Sequence, residues 1–112
     1  MIDYRRNYSM FGLIDRDIEY IKEAISQFET IEKAIIFGSR AMGNYKKGSD
    51  VDIAIFGKQI TREVIFKLND YLNETSPLPY FFDIIHYEDI LNDNVKKHID
   101  DEGKIVFQRI QV

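Results

Sequence analysis

Cysteine and tryptophan are absent from the chain, and proline occurs only twice. Without cysteine there is no disulfide, no thiolate metal ligand and no cysteine nucleophile, which fits a reducing compartment. No apolar run approaches the ~20 residues that span a bilayer, so no membrane contact is expected. The opening residues Met1-Ile2-Asp3-Tyr4-Arg5-Arg6-Asn7-Tyr8 lack the apolar core of a secretory signal, and a cytoplasmic location is the default expectation. Basic charge is also in short supply. Fifteen Lys and Arg stand against nineteen Asp and Glu, a net charge of −4. General nucleic-acid binding rests on neutralising many phosphates with Lys and Arg, so that class is disfavoured. A length of 112 residues is expected to form a single domain over 1–112, without room for a second substrate domain.

What is present reads as alternating helices and strands. Ile14, Ile18, Ile21, Ile25 and Phe28 recur at spacings of four and three, which predicts an amphipathic helix from about Asp15 to Glu29. Residues 1–12 before it form an N-terminal arm, in which Tyr4, Tyr8 and Phe11 are a candidate docking patch. A strand over Ile31 to Phe37 comes next, then a short helix from Ser39, a basic loop through Gly48, and a strand over Asp50 to Phe56. Thr61 is the expected N-cap of a second amphipathic helix carrying Val64, Ile65, Leu68 and Leu72, which gives out in the polar loop Asn73-Glu74-Thr75-Ser76-Pro77. Tyr80 to Ile85 reads as a third strand and Glu88 to Asp101 as a helix, with Gly103 as its stop. Ile105-Val106-Phe107 is a short strand at an edge. The pattern predicts an α/β or α+β sandwich, with helices packed on one side of a small sheet.

The segment Phe37 to Phe56 carries the chemistry. Asp50 and Asp52 lie at i and i+2 of a strand and point to one face, where their oxygens could serve a hard divalent cation. Val51, Ile53 and Ile55 point the other way, into a core. Upstream, Gly38-Ser39 follows the buried run Ala34-Ile35-Ile36-Phe37 and lets the backbone turn close to a phosphate. Metal and phosphate sites on neighbouring strands suggest a nucleotide enzyme.

These residues resemble the glycine-serine, ten residues, Asp-x-Asp motif of the polymerase beta-like nucleotidyltransferases, and the small chain is similar to their minimal nucleotidyltransferase (MNT) branch, over about residues 31–107. The resemblance implies the nucleotidyltransferase fold with a mixed sheet. It also implies a third carboxylate from a later strand, which Phe81-Phe82-Asp83-Ile84-Ile85 supplies as Asp83. By that likeness Asp50, Asp52 and Asp83 hold two Mg²⁺ ions, with Asp83 on the ion that activates the nucleophile. Gly38, Ser39, Arg40 and Ser49 form the nucleotide-binding set for ATP as donor, and Lys46 and Lys47 are further candidates to neutralise phosphate. The usual partner of the MNT branch is a small helical HEPN toxin. The resemblance therefore implies transfer of AMP to a tyrosine of such a partner, with this chain as antitoxin. Two alternatives stand beside it: a non-catalytic antitoxin that occludes its partner, and nucleotidyl transfer to a small molecule, which would need a homo-oligomer to complete a pocket.

Blander readings apply elsewhere. Asp15-Arg16-Asp17 opens a helix, where i and i+2 do not share a face, and is expected to be an N-terminal cap. Gly43 and Gly48 have a spacing like a P-loop, but Ser49 stands where its lysine belongs and a strand follows. An EF-hand fails because Ile53-Ala54-Ile55 offers no ligands. His86 alternates away from Asp83, and His98, among Lys96, Lys97 and Asp100, is expected on a solvated helix face.

Overall fold

The computed structural model describes residues 11–46 and 48–109. Tyr4, Tyr8 and Lys47 lie outside them. The order of elements is α1 (Asp15–Ser26), β1 (Lys33–Phe37), α2 (Ser39–Met42), β2 (Val51–Phe56), α3 (Arg62–Asp70), β3 (Phe82–His86), α4 (Asp93–Glu102) and β4 (Lys104–Gln108). The strands form one sheet in the order β3-β2-β1-β4, with β2 and β3 parallel and the other pairs antiparallel. The mixed sheet and the edge position of the last strand are as expected. Among the described residues no helix is long and apolar enough to cross a membrane.

Strand alternation gives the sheet two faces. Ala34 and Ile36 of β1, Val51, Ile53 and Ile55 of β2, Phe82 and Ile84 of β3 and Val106 of β4 make one apolar layer. Into it α1 sets Ile18, Ile21, Ala24 and Ile25, and α3 sets Leu68. Burying each of the large side chains stabilises the fold by roughly 1.5–3 kcal/mol, which holds a twelve-residue α1 that would be marginal alone in water. The second face is not bare, in contrast to the one-sided arrangement expected. Ile35 and Ala54 pack there against Ile99 and Val95 of α4. The central strands β1 and β2 are apolar on both faces, so the second face also needs cover, and α4 supplies it over part of its length.

Several boundaries move for local reasons. Asn92 accepts from the amides of Asn94 and Val95 at 2.8 and 3.3 Å and starts α4 at Asp93, not at Glu88. Before it, Tyr87–Asp89 is a single 3-10 turn, and Leu91 is 95% exposed. Thr61 caps α3 as expected, accepting from Val64 at 3.2 Å. The helix then widens into a π-helical turn, Tyr71–Thr75, where a loop was expected. Within that turn Asn73 accepts from the Phe82 amide (2.7 Å) and donates to the Phe82 carbonyl (2.9 Å). Asp17 is no cap either. It sits four residues before Ile21 on the inward stripe of α1, is 4% exposed, and accepts from the Tyr80 hydroxyl at 2.9 Å. Gly103 does end α4, because a Cβ there would stand 2.4 Å from Ile35 Cγ2.

Candidate active site

Across the second face, at the end where β1 finishes and β2 and β3 begin, three side chains fall in one row. Phe37 is opposite Asp52 in the antiparallel pair, and Asp52 is opposite Asp83 in the parallel pair. In-register neighbours point to the same side of a sheet, so the two aspartates lie side by side. The next row, Ile35, Ala54 and Ile85, is the one α4 covers. Asp50 immediately precedes β2 and is exposed. Burial first, and then the charges of Asp83 and Asp50, hold the Asp52 carboxyl above its ordinary value. Like charges gathered in this way favour a cation between them.

Among the described residues no group of three or more acidic or imidazole side chains closes into a metal-ligating set. Asp52 and Asp83 form an open pair with Asp50 at its rim. That donor set fits Mg²⁺, which takes hard oxygen ligands, demands few of them from protein and keeps water in its other positions.

Gly38 connects β1 to α2 with φ 75° and ψ −153°, a combination open to glycine almost alone. A Cβ at this position would stand 2.5 Å from Asp52 Oδ2. The turn is therefore pressed against Asp52, and Ser39 follows as the first residue of α2. The Gly38 amide donates to His98 Nε2 at 2.9 Å. An acceptor nitrogen has no proton, so the neutral ring carries its hydrogen on Nδ1. Phe37 meets the same imidazole edge-on, with centroids 6.1 Å apart.

His98 therefore belongs to the site and not to a solvated face. The available signal was its spacing: His98 is three residues after Val95 and adjacent to Ile99, so it flanks the stripe that faces the sheet. Its charged neighbours in sequence concealed this.

Arg40 and Ser49 are placed differently from a phosphate-binding pair. Arg40 is 3% exposed. Its Nε and Nη2 donate to the Ser49 carbonyl at 3.1 and 2.7 Å, and its Nη1 to the Phe11 carbonyl at 2.9 Å. The guanidinium lies between the rings of Tyr45 and Tyr80, 5.3 and 5.0 Å from their centroids. Ser49 Oγ accepts from the Lys46 amide at 2.8 Å. Arginine's rigid fork of donors suits this task, which is to tie the loop before β2 to the segment before α1. The two residues shape the loop that delivers Asp50, and their polar groups are turned to protein.

A family model described as "Polymerase beta, Nucleotidyltransferase" matches residues 19–111. A search of curated proteins finds no match. Among solved structures, a chain of a toxin–antitoxin complex with AMP-PNP superposes with a TM-score of 0.70 at 18% identity, over 83% of this chain and 74% of that one. A chain of the complex between a tri-AMPylated Shewanella oneidensis HEPN toxin and its MNT antitoxin gives 0.64 at 16% identity, covering 84% and 71%. A chain from Sulfolobus solfataricus described as a "putative nucleotidyltransferase" gives 0.53 at 23% identity, covering 89% and 81%.

Proposed function

The chain belongs to the polymerase beta nucleotidyltransferase family, and on that premise we propose that it transfers AMP from ATP to a tyrosine of a small helical HEPN partner, acting as the antitoxin to that protein's toxicity. The observation that carries the reading is the in-register pair Asp52 and Asp83 on neighbouring parallel strands, with Asp52 pressed against the Gly38-Ser39 turn. ATP as donor and a HEPN protein as acceptor are supported by analogy with the complexes holding AMP-PNP and an AMPylated toxin.

In this reading the acceptor hydroxyl gives up its proton and its oxygen forms a bond to the α-phosphorus of ATP, while the bond to the β-phosphate breaks and pyrophosphate leaves. Two Mg²⁺ ions, when bound, would lower the charge on the triphosphate and steady the leaving group. Asp50 and Asp52 would hold both ions and Asp83 one of them. Asp83, exposed on the outer strand of the pair, would face the acceptor and take up its proton. The turn at Gly38-Ser39 would bind the β and γ phosphates against this acidic row. Burial and the neighbouring carboxylates raise the Asp52 pKa, and bound cations would act in the opposite direction.

The test is mass spectrometry of the HEPN partner after incubation with this protein, ATP and Mg²⁺. An added AMP on a tyrosine is expected with the wild type and none with Asp52→Asn. If an Asp52→Asn protein neutralises the partner in cells as well as wild type does, catalysis is not the mechanism.

A further inference from the structure

From α4, His98 reaches toward the acidic row, and its contacts there are specific. Its Nε2 accepts the Gly38 amide at 2.9 Å, and its ring lies against Phe37. Gly38 in turn has a backbone conformation almost closed to other residues and lies so near Asp52 that a methyl group would collide with Oδ2. Without His98 as its partner, the half-buried Gly38 amide loses the reason to keep this direction. The next residue is Ser39, so the direction of the Gly38 amide also sets where the Ser39 backbone and hydroxyl point.

From this arrangement we infer that His98 is a positioning residue for nucleotide binding: through its hydrogen bond to Gly38 it fixes the glycine-serine turn at the spacing from Asp52 and Asp83 that a triphosphate requires. The inference rests on the nucleotidyltransferase reading given above. Its role is to hold a backbone group, not to touch the reacting atoms. A chain with the same carboxylates and a non-accepting residue at 98 would keep its acidic row and lose the phosphate side of the site. The covering of Ile35 and Ala54 by Val95 and Ile99 anchors α4 independently of His98, so the helix stays in place when the imidazole is changed.

Two variants separate the hydrogen bond from the ring. His98→Phe keeps an aromatic edge for Phe37 and removes the acceptor. His98→Gln restores an acceptor oxygen at about the reach of Nε2 and removes the ring. Both are measured in the full chain by amide hydrogen exchange at Gly38 and by ATP binding and transfer in the presence of Mg²⁺. Gly38 is expected to be protected in the wild type and in His98→Gln, and exposed in His98→Phe. The KM for ATP is expected to rise about tenfold in His98→Phe with kcat changed less, and to return to within about threefold of wild type in His98→Gln. Loss of Gly38 protection with unchanged ATP affinity overturns the inference and leaves the function reading standing. So does a His98→Gln protein that protects Gly38 yet binds ATP as weakly as His98→Phe. A wild-type protein with Gly38 protected and no affinity for any nucleotide overturns the function reading itself, and this inference with it.

Discussion

The two histidines of this chain serve the two ends of the sheet, and they do so with opposite proton roles. At the acidic end, His98 accepts from a glycine amide through Nε2 and is therefore neutral in that contact. At the other end, His86 is 8% exposed, with Nε2 at 2.7 Å from the Gly57 carbonyl and Nδ1 at 3.0 Å from Asp89 Oδ2. Facing two acceptors, it satisfies both only as the doubly protonated ion. Burial alone would lower its pKa, but the Gly57 carbonyl, Asp89 and Glu88 together outweigh that and hold it above the ordinary value. Glu88 closes the arrangement by accepting from the Gly57 amide at 3.2 and 3.1 Å through its two oxygens. One residue type is thus an acceptor beside a proposed metal site and a cation beside a turn. The backbone group that each ring faces decides which.

That contrast predicts that function and stability can be broken separately. The largest effect is expected at the acidic end. Asp83→Asn should lower AMP transfer by about 10²- to 10⁴-fold, as loss of a proton acceptor does. Its thermal unfolding should stay at or above that of wild type, because one of three repelling charges is gone. A parallel fall in Tm would mean that Asp83 holds the fold and would erase the distinction between the two ends.

Next in size is His86→Leu. Removing the imidazole leaves the Gly57 carbonyl without its donor and Asp89 without its counter-charge, at a cost of about 2 kcal/mol, or a drop in Tm of about 10 °C. Transfer per folded molecule should be unchanged, since His86 lies at the far end of β3 from Phe82, where the acidic row begins. A variant that lost transfer while keeping its Tm would tie the two ends together.

The smallest effect concerns pH. A folded-state pKa raised above the unfolded value means that the His86 contribution is fully present below the ordinary histidine value of about 6.5, and is lost as pH rises through the higher folded value. Wild-type Tm should therefore fall between about pH 6 and pH 8 more than that of His86→Leu. Thermal melts across that range measure the difference, and equal slopes would show that His86 does not carry it.

How much of this was legible beforehand depends on whether the signal was local. Asp50-Val51-Asp52 could be read because alternation on a strand is set by two residues, whereas Asp83 came only through the family resemblance, since no local spacing links it to the first two. Gly38-Ser39 announced a turn by composition alone. The second helical layer was not visible, since Val95 and Ile99 show an apolar stripe but not which face of the sheet receives it. Ile90 and Leu91 look like part of that stripe, yet Asn92 offers the first amides a better cap and the helix starts after them. The contacts of Arg40 and Ser49 with the Phe11 carbonyl, the Lys46 amide and each other were not legible, because they depend on how the loop folds back and not on the spacing of the motif. His98 needed the packing of α4 to be known before its reach to Gly38 made sense.

Asn73 has a consequence for how this molecule meets its neighbours. Immediately before β3 the carbonyl of Phe81 is bonded toward β2, so the polar groups of Phe82 face outward from the sheet. Those groups are taken by the two ends of a single carboxamide. An open strand invites pairing with any extended chain, including a second copy of itself, and seeds aggregates. Here the invitation is withdrawn at the residue next to Asp83. A visiting protein can present a side chain to the acidic row, but it finds no vacant ladder rung at Phe82 on which to add a strand of its own.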